Sequence, residues 1–512
     1  MKGLVNIIKK QNKNKPLKRP KTGLEVETHI IDNEGNISFE GLNIVEQVKA
    51  KYPEVDIVKE CGKNMIELGC YPDVNTYNPA LEMLRGLEKV IKVAKENNVK
   101  IYPFGTYPGK FETKFTPDIT GQYGIKRKIF GREKFKLATK AVGFHHHYTL
   151  PKGVFDYEKK DLKLLIDSKL KRSLLNNYNF EIAIDPILTL FAQSSPFFNG
   201  RLLGKDSRML IYRGGRKLGY DGLYSNYQQV GALPPYKQTE TDLLSSIRRR
   251  EQRWEKVVKK ADKKANLKKM YKTKLDICWN PVKINKHGTL EQRGMDMNYM
   301  GVLLGISALI KFTLRKLQHD FIEVIPSDVG INEPFKIQHG VMFVPPHTYV
   351  RETLQRASAY EGWDNEELAE YAKKFYKFAK PLIRDFYYPL LERIEEMIEK
   401  RKSVSDEIIS FAKRKKLLTK NNVISDKSAR IIALHFSKKF EEDLRNTKKL
   451  LKEILRKHEE IISNENKRKK SNGKKVDEKK VNEQKKDEDG KNTNNVSDVN
   501  KGDIVNKETK NK

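Results

Sequence analysis

Apolar and polar positions alternate through GLEVETHIID (Gly23 to Asp32) and stop at the turn-forming cluster Asn33-Glu34-Gly35-Asn36, which predicts the first arm of a hairpin. The same alternation flanks Gly62-Lys63-Asn64 in VDIVKECGKNMIELGC. Asn78-Pro79 then offers an N-cap and a first-turn proline, and Leu81, Leu84, Leu87, Ile91 and Ala94 recur at helical spacing as far as Asn97-Asn98. KIYPFGTYP returns to extended structure, and AVGFHHHYTLP (Ala141 to Pro151) predicts a further short strand. Tyr157 to about Phe191 has a helical pattern, Gly200 to Gly222 is glycine- and arginine-rich and predicts a loop, and Thr239 to Lys274 predicts a strongly basic helix. A last hairpin, LDICWNPVKINKHGTLEQRGMDMN, turns at Lys286-His287-Gly288 ahead of a mostly apolar helix from Tyr299 to Leu317. Beyond about Glu366 the pattern is helical to Ile462.

Strands of hairpin type mixed with helices that do not alternate strictly with them predict an α+β fold with an antiparallel sheet, not a doubly wound one. Neither a GxGxxG after a strand nor a GxxxxGK[ST] occurs, so the Rossmann and P-loop folds lack their motifs. The length of 512 residues predicts one large body with appended elements: a basic disordered leader (1–21), a main domain (22–350) with a basic helical insertion (about 239–274), a helical region (351–462) and a disordered Lys/Asn/Asp/Glu tail (463–512).

The net charge of +34 raises nucleic acid as a partner, carried by the 247–265 basic run, but no interleaved aromatic platform or reader motif accompanies it, so only a weak secondary affinity is expected. Three cysteines (Cys61, Cys70, Cys278) without paired spacing argue against a disulfide framework and a zinc site. The most apolar stretch, Met300 to Ile310, is about half the ~20 residues a membrane span needs, and the leader has no apolar signal core, so the expected location is cytoplasmic.

Side chains two apart on a strand share a face. Glu25 therefore joins Glu27, Met65 joins Glu67, His145 joins His147, and Glu291 joins Arg293, while the positions between them (Val26, Ile66, Leu68, Phe144, Leu290) are apolar. A sheet with one solvated face explains any single strand. Four strands together fit it less well, because a solvated face in so lysine-rich a chain should carry lysine. Clustered carboxylates with imidazole repel unless a cation sits among them, and an oxygen-rich set with one or two histidines suits Mg²⁺ or Mn²⁺. His146 faces the other way and is expected to pack inward. Ser207 and Arg208 in GKDSR, with Arg293 on its strand, are the candidate anion-handling groups; Arg213 and Arg216 are expected in solvent.

GLEVETHIID, MIELGC followed by a helix, YPFGTYPG, GFHHHYTLP, PILTLFAQSSPFFNG with GKDSR, and GTLEQRGMD resemble, in order and character, the glutamate-cysteine ligase type 2 family over about Gly23 to Leu317. The resemblance implies a glutamine-synthetase-like catalytic domain over 22–350, an antiparallel funnel of the type also found in guanidino kinases, with flanking helices and, here, a helical C-terminal extension. It implies ATP and Mg²⁺ (or Mn²⁺) as cofactors, Glu25, Glu27, Glu67, His145, His147 and Glu291 as metal ligands, Arg293 and Arg208 as catalytic phosphate clamps, and Ser207 with both arginines as nucleotide contacts. Here the family's Ser-x-Arg loop is contracted to Ser-Arg. The implied reaction joins the γ-carboxylate of glutamate to an amine, cysteine or another amino compound, through an acyl phosphate. The alternatives are another phosphoryl-transfer enzyme on the same fold, a family member that keeps the fold without turnover, and a nucleic-acid-binding protein; acceptor and oligomeric state stay open.

Overall fold

The first alternating segment forms the long strand β1 (Thr22–Asp32), and everything around it is built by pairing to its two edges. On one edge lies β3 (Met65–Gly69), hairpin partner of β2 (Ile57–Lys59). The other edge is shared by β4 (Val99–Tyr102), against residues 29–32, and β5 (Gly143–Thr149), against residues 22–26. The final hairpin, β6 (Val282–Asn285) and β7 (Thr289–Asp296), joins through β7 to β5. The seven-stranded sheet has the order β6-β7-β5-β1-β3-β2, with β4 beside β1, and every pairing in it is antiparallel. The computed structural model describes residues 19–118, 120–163 and 168–489.

One face of this sheet is apolar. Leu24, Val26, Ile66, Leu68, Phe144, Leu290 and Met295 are all buried. Three helices pack against the sheet: α1 (Tyr77–Glu96), whose stripe Leu81, Leu84, Leu87, Ile91 and Ala94 is buried, α3 (Lys169–Ala192) and α6 (Met300–Asp320). On the other side α2 (Gln122–Phe130), α4 (Ser207–Tyr212) and α5 (Glu240–Ala261) surround an aromatic cluster.

Four expectations change. The helical pattern from Tyr157 starts late. A small hairpin, Phe155–Asp156 with Asp161–Leu162, comes first, because the Asp156 carboxylate accepts hydrogen bonds from the Glu158 and Lys159 N–H groups (3.1 and 3.0 Å) and closes a turn where a helix would begin. The glycine-rich stretch is not all loop: Asp206 Oδ1 accepts from the Met209 N–H at 2.7 Å and caps α4. The basic helix ends at Ala261, short of Lys274, and is amphipathic: Leu243, Leu244, Ile247, Trp254 and Val258 are buried. The last helix, α7 (Asp426–Asp489), continues beyond Ser463, where disorder was expected; that stretch is rich in lysine and glutamate, both good helix formers. The rest of that tail, 490–512, and residues 1–18 of the leader lie outside the described residues.

Contacts divide the chain into two units, residues 1–454 and 455–512. Residues 351–454 belong to the same unit as the sheet, where Phe436 and Phe440 of α7 pack edge-on to Phe104 and the Ser437 hydroxyl donates to Ile101 O at 2.7 Å. Among the described residues no helix is long and apolar enough to cross a membrane.

Trp254 is fully buried, tilted against Phe130, edge-on to Trp279, and donates its indole N–H to the Tyr271 hydroxyl at 3.1 Å. Trp254→Ala should lower unfolding free energy by about 3–5 kcal/mol, read as a shifted urea midpoint.

Candidate active site

Register decides which side chains meet. Glu25 lies opposite Gly69 on one side and His145 on the other; Glu27 lies opposite Glu67; His147 lies between Gly23 and Glu291, and Glu291 faces Lys283. The six carboxylates and histidines singled out in the sequence thus share the face opposite the apolar core, and all but His147 line one cavity of about 580 Å³. Their donor atoms form three overlapping triads, each within 4.8 Å: Glu25, His147 and Glu291; Glu25, Glu67 and His145; Glu27, Glu60 and Glu67.

Glu60 was not legible in the sequence. It follows β2, where the turn at Gly62 breaks the alternation that would have placed it. Lys283 and Asn285 were missed too. Both contact Glu291: Lys283 Nζ at 3.6 Å and Asn285 through its amide N–H. Their signal was the alternation of VKIN itself, read as a hairpin arm and not as part of the site.

The charge balance differs along the face. Burial opposes ionisation of Glu25, yet His147 and His145 hold its carboxyl well below the usual range. Glu291 is treated likewise: burial is outweighed by Lys283 and Arg293, the latter donating Nη1–H to Oε1 at 3.0 Å. At the other end burial, then Glu25 and Glu60, pushes Glu67 well above the usual range, and burial with Glu27 raises Glu60. Protonation is thereby favoured at the β3 end and opposed at the β7 end.

Each imidazole is oriented through its Nδ1. His145 Nδ1 lies 2.9 Å from Glu25 Oε2, and His147 Nδ1 lies 2.9 Å from the Thr289 hydroxyl. Each ring's Nε2 is buried and makes no hydrogen bond, although His147 Nε2 lies 3.2 Å from Glu25 Oε1 and His145 Nε2 3.7 Å from Glu27 Oε1. One ring nitrogen orienting while the other is left toward carboxylates is the usual arrangement around a bound cation. The oxygen-rich donor set fits Mg²⁺ or Mn²⁺. His146 is fully buried on the opposite face, where burial, reinforced by His147 and Lys311, keeps it neutral.

A bulge organises the arginines. Between Gln292 and Met295 the register of β7 slips against β5, freeing the carbonyls of Arg293 and Gly294. Arg208 donates to both, Nη2–H to Arg293 O (3.3 Å) and Nη1–H to Gly294 O (3.2 Å). Arg208 therefore sits in the first turn of α4, buried and fixed by backbone, not in a wrapping loop. Ser207 is fully buried and, unlike Arg208, is not part of the cavity wall. Arg213, expected in solvent, is buried: it grips Asp185 of α3 through two bonds (2.6 and 3.0 Å) and also donates to Gly294 O at 3.2 Å. Arg216 is exposed. Glycines make room for these forks. A Cβ on Gly143 would overlap Arg208 Nη2, and one on Gly294 would overlap Arg213 Nη2. The Gly143 N–H also donates to Glu27 Oε2 at 2.6 Å.

No protein-family model matches the chain, and no curated protein matches it significantly. Solved structures similar to it include the glutamate-cysteine ligase of Francisella tularensis in complex with AMP (12% identity, 88% of this chain and 95% of that one, TM-score 0.49). A bifunctional glutathione synthetase from Pasteurella multocida is similar at 13% identity over 83% of this chain (TM-score 0.47), and the chain spans about half, 52%, of that enzyme's length. The ligase PafA, in complex with the ubiquitin-like protein Pup, aligns over 81% of this chain and 71% of its own at 12% identity and TM-score 0.32.

Two outcomes follow from this geometry. Gly143→Ala should displace Arg208 from the Arg293 and Gly294 carbonyls and lower unfolding free energy by about 1–3 kcal/mol, read as a shifted urea midpoint. Because Glu67 has a raised folded value, its burial costs nothing at low pH and more as pH rises above the ordinary 4.5. Glu67→Gln should accordingly be more stable than wild type above that pH, by on the order of 1 kcal/mol, read as a higher urea midpoint.

Proposed function

We propose that the chain is an ATP- and Mg²⁺-dependent carboxylate-amine ligase, activating the γ-carboxylate of glutamate as an acyl phosphate that an amine, cysteine or another amino compound, then attacks. The observation that carries this reading is the set of three triads on one sheet face beside two anchored arginines, Arg208 held by backbone carbonyls and Arg293 by the Glu291 carboxylate. Glu25, Glu27, Glu67, His145, His147 and Glu291, joined by Glu60, would hold divalent metal, which supplies charge neutralisation for the nucleotide's phosphates.

The chain's own residues supply the rest. Arg293, tied to Glu291, and Arg208, tied to the bulge, offer planar forks to a phosphoryl group in flight and need no rearrangement to do so. Phosphoryl transfer is positional and electrostatic work, so no enzyme nucleophile is required. Cys61 and Cys278 are buried, and burial pushes the Cys61 thiol up to about 12. Ser207 is walled off from the cavity, and its backbone N–H donates to Ser195 O at 2.8 Å. The funnel-shaped catalytic body over 22–350 and a cytoplasmic location belong to the same reading.

The test is to supply purified protein with Mg²⁺, ATP and glutamate and follow ADP release and product mass across a panel of amines including cysteine. Amine-dependent ADP release with a γ-glutamyl product is expected, lost in Glu67→Gln and reduced about 10²–10³-fold in kcat by Arg293→Ala. ATP turnover with a phosphorylated product and no amide would replace the reading with a kinase of the same architecture. Tight RNA binding at moderate salt, without turnover, would favour the basic nucleic-acid-binding alternative.

A further inference from the structure

The cavity's outer wall holds a group that the metal face and the arginine forks leave unexplained. Lys126 of α2 is only 7% exposed, lines the cavity, and carries its ammonium 4.0 Å from the centroid of the Trp279 ring. Among the described residues it forms no ion pair within 4.0 Å; Glu60 and Asp118 act on it only from beyond that distance. A buried ammonium without an anionic partner is costly and rare. Burial lowers its pKa to about 8, which Cys61 and then Glu60 and Asp118 only partly offset. The ring beneath it is itself fixed: Tyr224 stacks on Trp279 at 5.7 Å and 19°, and Trp254 of α5 packs edge-on at 5.6 Å. The basic helix thus serves as the buttress that places this cation.

We infer that Lys126 is the counter-ion for the α-carboxylate of an amino-acid substrate, its ammonium held in place by the Trp279 ring beneath it. The inference rests on the ligase reading and deepens it, because it names the substrate class the site selects. A carboxylate fits better than a phosphate. The two arginine forks already face the bulge end of the cavity, whereas Lys126 is a single point charge beside Phe135, Tyr224 and Trp279, a surrounding suited to a compact organic anion. Either the donor's or the acceptor's α-carboxylate would satisfy the same chemistry.

The experiment uses the full chain with Mg²⁺ and follows tryptophan fluorescence as glutamate, cysteine and other amino acids are titrated, each against its α-decarboxylated counterpart (4-aminobutyrate for glutamate, cysteamine for cysteine). Wild type should favour the carboxylate-bearing member of the donor pair or the acceptor pair by about tenfold or more; which pair responds identifies the source. Lys126→Met should abolish that preference, Lys126→Arg should restore most of it, and Mg·ATP affinity should stay within about twofold. Trp279→Phe should remove the fluorescence change, with calorimetry reporting binding in its place. A preference unchanged in Lys126→Met, no preference in wild type, or a loss confined to Mg·ATP affinity would each overturn the inference. A preference that depends on Lys126 in a protein that makes no amide would leave it standing and sink the ligase reading instead.

Discussion

Five carboxylates and two imidazoles crowded onto one sheet face set the terms for the rest of the molecule. Two unit charges 4 Å apart interact by about 4 kcal/mol at the effective dielectric of a protein surface, so such a face is tenable only if its charge is cancelled locally. The cancellation is graded across the sheet. At β6 and β7, Lys283 and Arg293 are permanent counter-ions for Glu291; at the centre, His145 and His147 serve Glu25; at β3, protons raised in affinity by burial and by each other serve Glu67 and Glu60. Protons are the exchangeable part of this arrangement. The ion pairs at β7 are instead permanent, and they keep Arg293 anchored to Glu291.

The opposite face explains why the crowding does not distort the sheet. Antiparallel pairing fixes register, and a one-residue slip would carry Glu25, His145 and Glu291 into the apolar layer formed by α1, α3 and α6. Burial of Val26, Ile66, Phe144 and Leu290 thus holds the polar face in place from behind. The one slip that does occur, at Arg293–Gly294, is confined by the Asp185–Arg213 pair and by Arg208, so an irregularity that would weaken a ladder becomes an acceptor for two guanidinium groups.

Strand alternation made the polar face readable. Glu25, Glu27, Glu67, His145, His147 and Glu291 lie on regular strands, where parity alone assigns a side. Parity fails where the backbone leaves the ladder, and most of the missed or misplaced residues are found there: Glu60 after β2, Ser207 and Arg208 in a helical turn hidden among glycines, and Arg213, whose burial depends on Asp185 at 28 residues' remove; Lys283 and Asn285 lie on a regular strand and were passed over as a plain hairpin arm. Lys126 was unreadable for another reason. In a chain with 101 lysines and arginines, a cation that differs from the others only by what surrounds it has no local signature.

That last point bears on how the charge of +34 should be understood. Many of the lysines described form partly exposed pairs, such as Lys259 with Glu255 on α5, which contribute little individually. The same helix turns Ile247, Trp254 and Val258 inward, and those residues carry the aromatic wall against which α2 is set. Its basic outer face and its structural inner face are separable. Replacing the exposed lysines of α5 would change the protein's long-range field, whereas replacing Trp254 would loosen Trp279 and the cation above it. The basic segment is, by its packing, part of the cavity's frame.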